Sequence, residues 1–407
     1  MAGCRVGRGV RLSVAPIGAG GEIVIARSKA ILVLLLCALA GVAGCKGFWD
    51  APSSSSSGTG TTTLTSGVFY VLNVETAQIV AMYVNAGTLT TIGTYGLPAA
   101  PIAMTVAPNN DFLYVSTLSG IYVYTIASTG KLTLGNSSAA ISADPAQTMQ
   151  VDATDSWLIE AVSGSASVYA IPINTTTGVP TSSTEQARVL PAATVQQLVI
   201  APDDTNVFVA MGSGGTAVVP FTSGNANPFG TVSTIATVSS AGAAISVAVD
   251  PSDRLLYIGE TAATSASNSG GLRAFAYSTL TEITGSPYGT QGLAPYSILP
   301  AAAGNYVYVA NRQTSSSSNG VISGFSIGVS TSTYSLTALG STFGAGSHPV
   351  SLAQDNTTDF VFAANYGGSA DLTGYVFDST NAGYLDKVVS SSTGTDPVQA
   401  SVVAAAH

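Results

Sequence analysis

The sequence is poor in cysteine, and the few cysteines it has lie near the N-terminus. Cys4, Cys37 and Cys45 are the only ones among 407 residues, so the chain after position 45 can form neither a disulfide nor a thiolate metal site. The same part has no GxxxxGK phosphate loop and no histidine cluster. Acidic pairs such as Asp203-Asp204 could offer oxygen ligands to Ca²⁺, but turn chemistry accounts for them. We therefore predict no bound metal and no cofactor.

Charge is also scarce, and basic charge most of all. Charged residues make up 8% of the chain, with 12 basic and 21 acidic side chains and a formal net charge of −9. Many of the basic residues lie before position 30, so removal of the N-terminal segment would leave the rest more acidic still. Such a surface repels a phosphate backbone, and nucleic acid is not expected as a partner. Hydrophobic residues make up 46% of the chain, which is enough for a large core and too much for general disorder.

An apolar run near the N-terminus, from Ala30 to Ala43, follows the basic flank Arg27-Ser28-Lys29. A run of about 14 residues with such a flank is typical of a secretory signal and is too short for a transmembrane helix. The run ends at Val42-Ala43-Gly44-Cys45, which resembles the lipobox of bacterial lipoproteins. The resemblance implies that Cys45 receives a diacylglycerol and that the signal is cleaved before it. The alternative is an ordinary signal peptide with a chance cysteine.

These features divide the chain into three parts. Residues 1–44 are an N-terminal extension and lipoprotein signal peptide, residues 45–66 a tether, and residues 67–407 the folded domain. The tether is rich in Ser, Thr and Gly, a composition typical of flexible linkers that hold a domain away from a membrane. We predict an exported, monomeric protein anchored in the cell envelope, on the periplasmic or outer-membrane side.

The folded domain consists of repeats with a period of about 50 residues. In each repeat an opening residue is followed 13 positions later by a large apolar residue in a second β-rich run. The pairs are Pro101 with Tyr114, Ala146 with Ile159, Val195 with Phe208, Ala244 with Tyr257, Pro295 with Tyr308 and Pro349 with Phe362. A turn rich in Asp, Asn, Pro or Gly separates the two runs, and two further β-rich runs follow. Four strands in each period are typical of a propeller blade.

The two ends of the domain complement each other. A seventh opening residue, Pro397, lies in a single C-terminal strand, whereas Gly67 to Asn73 begins the domain on a second strand. We expect the C-terminal strand to pair with Phe69 to Leu72 and so remove the open sheet edges, which promote aggregation. The predicted fold is all-β: a seven-bladed β-propeller with four antiparallel strands per blade, closed by pairing of the C-terminal strand with the N-terminal blade.

Two short motifs resemble a known family. Tyr308-Val309-Ala310-Asn311 and Phe362-Ala363-Ala364-Asn365 resemble the repeat of the YVTN β-propellers. The wider pattern, His348-Pro349-Val350 followed by a turn and Ala364-Asn365-Tyr366-Gly367, resembles the lactonase-type seven-bladed propellers, which include bacterial 6-phosphogluconolactonase. The likeness extends from about Gly67 to the end of the chain. It implies the propeller fold and suggests lactone hydrolysis as an activity.

Blade geometry places several polar residues around one mouth of the central channel. In a four-stranded blade, the loop entering the first strand and the loop after the second strand share one face. His348 enters a first strand, and the residues that follow second strands are Glu260, Asn311, Arg312, Gln313, Asn365 and Tyr366. The Asp-rich turns fall on the opposite face.

Lactone hydrolysis would assign roles to some of these residues. It needs a general base for water and a cation or hydrogen-bond donor for the developing oxyanion. Glu260 or His348 could be the base, and Arg312 could stabilise the charge. Structural roles are equally open: His348 could cap a loop, the two asparagines could satisfy turn backbone, and Arg312 could form a surface ion pair. The candidate ligand contacts are Asn311, Gln313, Asn365 and Tyr366.

Three functions stay open. The favoured one is a lipid-anchored, extracytoplasmic propeller that binds an unknown small ligand or an envelope protein through loops on one face. The second is a lactone hydrolase that uses His348, Glu260 and Arg312, and the third is a structural envelope protein without a small ligand. The hydrolase is ranked second because the chain has only two histidines, of which His407 is the last residue.

Overall fold

A computed structural model describes residues 67–406 except positions 86, 142, 163, 265–269, 315–318, 332, 369 and 392–399. The N-terminal extension, the signal peptide and the tether lie outside the described residues, as do Cys45 and His407. Over the described part, no helix is both long and apolar enough to cross a membrane.

The described chain is built almost entirely of short strands, as the β-rich runs and turn clusters predict. In chain order the strands are β1 Val68–Asn73, β2 Gln78–Asn85, β3 Thr88–Gly96, β4 Pro101–Val106, β5 Phe112–Thr117, β6 Gly120–Ile126, β7 Leu132–Leu134, β8 Thr148–Val151, β9 Trp157–Val162, β10 Ser167–Asn174, β11 Val179–Pro180, β12 Gln186–Val189, β13 Gln197–Ile200, β14 Asn206–Ala210, β15 Thr216–Pro220, β16 Ser233–Ile235, β17 Ala243–Val249, β18 Leu255–Thr261, β19 Gly271–Ala276, β20 Thr281–Glu282, β21 Tyr288–Gly289, β22 Pro295–Pro300, β23 Tyr306–Asn311, β24 Asn319–Ser330, β25 Thr333–Gln354, β26 Phe360–Gly367, β27 Leu372–Phe377, β28 Leu385–Ser391 and β29 Ala400–Ala405. Two single-turn 3₁₀ segments, Asn136–Ser138 and Ser182–Thr184, interrupt them.

Antiparallel pairing assembles these strands into seven blades. Blade 1 is β29-β1-β2-β3, blade 2 is β4 to β7, and blade 4 is β13 to β16. In blades 3 and 5 the outer position is divided between two short strands, β11 with β12 and β20 with β21. Blades 6 and 7 share one sheet because the 22-residue β25 pairs with β24 through its first half and with β26 through its second half. The predicted architecture of seven antiparallel blades is confirmed.

The C-terminal strand completes blade 1. β29 lies antiparallel to β1, with Phe69 opposite Ala405 and Leu72 opposite Val402, which is the pairing expected from the sequence. One detail differs from that expectation. Ala400 lies opposite Asn73, as Pro349 lies opposite Asn365 in blade 7, so Ala400 occupies the opening position of the seventh repeat. The expected opener, Pro397, lies outside the described residues.

The core consists of seven apolar clusters, each lying between two adjacent blades. Successive side chains of a strand point to opposite faces of the sheet. Alternate residues of each central strand therefore pack against the preceding blade, and the residues between them pack against the following blade. This explains why all six residues of β1 are buried. The cluster between blades 7 and 1 includes stacked rings of Phe69 and Phe362, with centroids 4.1 Å apart. The packing therefore continues around the whole ring.

The acidic turns between first and second strands lie on the face opposite to the candidate mouth, and they connect neighbouring blades. The Asp155 carboxylate accepts a hydrogen bond from the Asn109 N–H at 3.3 Å, and Asp204 accepts one from the Ala153 N–H at 3.2 Å. Both aspartates have φ of 54°, a left-handed conformation that Asp tolerates better than most residues. Burial, together with neighbouring carboxylates, raises the pKa values of Asp155, Asp204 and Asp253 from 3.8 to about 6.

These raised pKa values predict that acidification stabilises the fold. A carboxyl group whose pKa is higher in the folded than in the unfolded chain contributes stability below about pH 4, and that contribution is lost as the pH rises through 6. We expect the melting temperature to be higher at pH 5 than at pH 7.5. In the variant Asp204→Asn, which keeps an oxygen acceptor for Ala153, the difference between the two melting temperatures should shrink. Equal melting temperatures for the parent chain at both pH values would contradict this account.

Candidate functional site

The first strands of all seven blades line a central channel with a volume of about 810 Å³. Their free edges face this space, and side chains from neighbouring blades satisfy part of the backbone. Gln150 accepts a hydrogen bond from the Ile200 N–H at 2.8 Å, and Gln197 accepts one from Val247 at 2.9 Å. The Ser297 hydroxyl likewise accepts one from the Leu352 N–H at 3.0 Å. Part of the channel wall is thus occupied by structural hydrogen bonds between neighbouring blades.

In blades 2, 5, 6 and 7, a β-bulge at the start of the first strand redirects one residue toward the channel. The pairing shifts by one residue directly after Pro101, Ala244, Pro295 and Pro349. A bulge of this kind bends the strand and redirects a side chain. The channel-lining residues that directly follow the openers of blades 2 to 7 are Ile102, Gln147, Gln196, Ile245, Tyr296 and Val350. Tyr296 is the only aromatic one among them.

Arg312 lies between two tyrosines at this mouth. Its guanidinium carbon is 4.9 Å from the ring centroid of Tyr296 and 5.6 Å from that of Tyr366. One guanidinium N–H donates a hydrogen bond to the Tyr296 hydroxyl at 3.0 Å. Arg312 and Tyr366 occupy equivalent positions of the repeat, because they directly follow Asn311 and Asn365. The repeat itself therefore brings these side chains together.

No acidic partner neutralises Arg312 among the described residues. The ion pairs there are Arg254 with Asp250 and Arg273 with Glu260 and Glu282. Arg312 is the one charged side chain among the described residues that line the channel. Its aromatic neighbours supply cation–π attraction, and the Tyr296 hydroxyl takes up one of its N–H donors. The arrangement presents a partly exposed cation to an incoming anion.

The two asparagines hold the surrounding loops. Asn311 is fully buried, and its amide donates to the Thr290 carbonyl and to the Ser323 hydroxyl, both at 3.1 Å. Asn365 is also fully buried and donates to the Thr373 hydroxyl at 2.9 Å. Neither side chain lines the channel. Both asparagines therefore hydrogen-bond to other parts of the protein, and neither is placed to contact a ligand in the channel.

Glu260 does not join the group at the mouth. It is fully buried, accepts a hydrogen bond from the Val238 N–H at 2.6 Å and pairs with Arg273 at 3.2 Å. Burial raises its pKa, and the bonds from Val238 and Arg273 oppose that rise. Both of its oxygens are engaged away from the channel lining, so this carboxylate has no open side from which to activate water.

His348 lies beside the mouth. It falls between the pairs Ser347 with Gly367 and Pro349 with Asn365, which places it across from Tyr366 on the neighbouring strand. Its Nδ1 is 3.2 Å from the Ser347 hydroxyl, and its φ of 52° is in the left-handed region. Gln313 is exposed beyond Arg312 and, like His348, is not among the residues lining the channel.

Sequence reasoning brought Arg312, Tyr366 and His348 to one region but missed Tyr296, Gln147 and Gln196. The available signal was the position directly after each opener, where a bulge redirects the side chain. Among blades 2 to 7, that position holds a polar or aromatic residue in blades 3, 4 and 6.

The fold and the site together define a seven-bladed β-propeller with a cationic, aromatic mouth at one end of its channel. A model of the lactonase family, described as a 7-bladed beta-propeller, matches residues 70–197 and 255–407. The chain belongs to this family. No match was found among curated proteins.

Several solved structures share the fold. A candidate 6-phosphogluconolactonase from Bacteroides uniformis is 16% identical with a TM-score of 0.66, and the match covers 83% of this chain and 99% of that one. A periplasmic gluconolactonase from Pseudomonas aeruginosa is 16% identical with a TM-score of 0.63, covering 83% and 98%. A protein from Lactobacillus plantarum is 17% identical with a TM-score of 0.59, covering 83% and 99%. At these identities the likeness establishes the fold alone.

Proposed function

We propose that this propeller binds a small organic carboxylate at the channel mouth, between Arg312, Tyr296 and Tyr366. The observation that carries the proposal is a guanidinium held between two tyrosine rings without an acidic partner among the described residues. A planar guanidinium matches the two oxygens of a carboxylate in a bidentate pair. The tyrosines offer aromatic faces to the apolar side of a sugar ring, and Gln147 and Gln196, which line the same channel, offer amide groups to its hydroxyls.

Loss of the guanidinium is expected to weaken binding by roughly ten- to a hundredfold, because a hydrogen bond to a charged group contributes about 1.5–3 kcal/mol. Titration calorimetry with gluconate would measure this for Arg312→Ala and Arg312→Lys. The lysine variant keeps the charge but loses the planar fork, so it should bind less tightly than the parent chain. The matched control is Gln313→Ala, which removes an exposed neighbour outside the channel lining. Equal affinities for Arg312→Ala and the parent chain would refute the proposal.

Lactone hydrolysis at the same mouth is a second candidate function. Family membership and the position of His348 across from Tyr366 favour it. In that reaction His348 would take a proton from water as the water oxygen bonds to the carbonyl carbon, and Arg312 would stabilise the resulting oxyanion. The ring C–O bond would then break, the proton on His348 would pass to the departing alkoxide, and the carboxylate product would form. The discriminating experiment measures hydrolysis of gluconolactone and 6-phosphogluconolactone by the parent chain and by His348→Ala. Turnover lost in that variant would favour the enzyme, whereas gluconate binding without turnover would favour the binding protein. If neither occurs, the structural envelope role takes their place.

The cell-envelope location is part of the same proposal and rests on the lipobox-like sequence before Cys45. We expect the chain, expressed in a bacterium fed a labelled fatty acid, to incorporate label and to fractionate with membranes. Cys45→Ser should abolish both, while Cys37→Ser, within the apolar run, should change neither. Incorporation of label into Cys45→Ser would contradict the anchor.

A further inference from the structure

Blade 3 carries a second pocket, with a volume of about 310 Å³, that shares no lining residue with the channel. Its walls come from the loop before β8, from β9 and β10, and from the 3₁₀ segment that precedes β12. Its lining residues are Ala143, Asp144, Glu160, Tyr169, Ser182, Ser183 and Glu185. The volume falls at the lower end of the range for small-molecule sites.

Glu160 forms the buried end of this pocket. The residue is only 1% exposed, and its Oε2 has no hydrogen-bond partner in the described part of the chain. Burial raises its pKa to about 8, and the charges of Glu185 and Asp144 act in the same direction. Burying a carboxyl oxygen without a partner is unfavourable, so this oxygen is available to pair with a ligand that enters the pocket.

The charges around Glu160 are all acidic. Asp144 and Glu185 are exposed at the rim, and Tyr169 is half-buried between them and the floor. The nearest basic residue along the lining strands, Arg188 on β12, uses its guanidinium to donate to the Gly230 carbonyl of blade 4. No described cation therefore balances the three carboxyl groups of this pocket.

We propose that the blade 3 pocket binds a small organic cation whose ammonium group pairs with Glu160. A bare metal ion fits less well, because no group of three or more His, Cys, Asp or Glu residues in the described chain is arranged to hold one. The volume is also many times that of a single ion and suits an alkyl chain behind the charged group. Asp144 and Glu185 draw the cation inward, and Tyr169 covers its aliphatic part.

Binding is coupled to ionisation of Glu160. Without ligand the carboxyl group is largely protonated at pH 7, since its pKa is about 8. An ammonium ion pairs more strongly with the carboxylate than with the neutral acid, so binding below pH 8 releases up to one proton. The affinity should rise roughly tenfold from pH 6 to 7 and about fivefold from pH 7 to 8, and level off above that, because it follows the ionised fraction of a group whose pKa is about 8.

The experiment is calorimetric titration of the purified full chain with 1,4-diaminobutane and butylammonium, with butanol as the uncharged analogue. We expect both amines to bind, butanol not to bind, and the heat to depend on the buffer's ionisation enthalpy because a proton is released. Glu160→Gln should lose at least tenfold in affinity and all of the proton release. Glu75→Gln, in the blade 1 turn after β1, is the matched control and should behave as the parent chain does.

Three outcomes would overturn the proposal. They are the absence of amine binding to the parent chain, equal binding to Glu160→Gln, and binding of Ca²⁺ in place of the amines. If Glu160→Gln does not fold, the test rests on the parent chain alone: its amine affinity must depend on pH, and its heat of binding must depend on the buffer. Arg312→Ala should leave amine binding unchanged, which separates this pocket from the channel mouth.

Discussion

Deletion of residues 398–407 is expected to abolish cooperative folding. The deletion removes β29, so β1 loses its inner partner and presents an unpaired edge, although all of its residues are buried in the intact ring. Val403 is 3% exposed and Ala406 2% exposed, and both pack in the clusters on either side of blade 1. Each fully buried valine contributes roughly 1.5–3 kcal/mol, and a domain has only about 5–15 kcal/mol in total. We expect no unfolding transition and aggregation in size-exclusion chromatography.

Point variants give a milder and more specific form of the same test. Val403→Asp places a charge between blades 7 and 1, whereas Val388→Asp places one on β28, where the native valine is 44% exposed. The first should lower the melting temperature strongly, and the second should change it little. If truncation leaves the melting temperature unchanged, the closing strand is dispensable and the ring account is wrong.

Replacing Glu260 with alanine is expected to destabilise the fold by roughly 3–5 kcal/mol, the usual consequence of breaking a buried ion pair. The change leaves Arg273, whose side chain is only 9% exposed, without one of its two carboxylate partners. It also removes the acceptor of the Val238 N–H. Urea unfolding at pH 7 would measure the loss as a lower midpoint with an unchanged slope.

The other partner of Arg273 provides the control. Glu282 contacts the same guanidinium at 2.8 Å but is 30% exposed, so Glu282→Ala should cost at most about 1 kcal/mol after solvent screening. Gluconate affinity at the channel mouth should be the same in all folded variants of this pair. If the Glu260→Ala protein kept its stability but lost ligand binding or turnover, Glu260 would have to be part of the functional site.

The two polar regions of the molecule are chemically opposite. The mouth offers an unneutralised guanidinium between aromatic rings, whereas the blade 3 pocket offers three carboxyl groups without a basic partner among the described residues. Both regions are built from the same repeat. Its strands form a rigid scaffold, and the residues that differ between the two regions lie in loops and at strand ends. A ligand for one region is therefore not expected to compete for the other.

Much of the fold could be predicted from the sequence, and the candidate site only in part. The separation of 13 residues between openers and the second-strand positions led to the strand order, and the incomplete ends led to the pairing of β29 with β1. The assumption that Pro397 opens the last strand did not match the register, in which Ala400 occupies that place. Pro397 was chosen because Pro101, Pro295 and Pro349 open other repeats. The register of β29 against β1 depends instead on how β29 packs against blades 2 and 7.

The sequence alone determined the repeat, the number of blades and the face on which each loop lies, because strand periodicity and turn residues are local properties. Tertiary structure decided which side chains meet. Tyr296 reaches Arg312 through a bulge, Glu260 meets Arg273 on the adjacent strand of its blade, and Glu160 is buried with one oxygen unpartnered among the described residues. A shift of one residue in strand pairing turns a side chain to the opposite face of the sheet. Side chains that meet on neighbouring strands are also separated along the chain, so a local sequence pattern does not reveal these contacts.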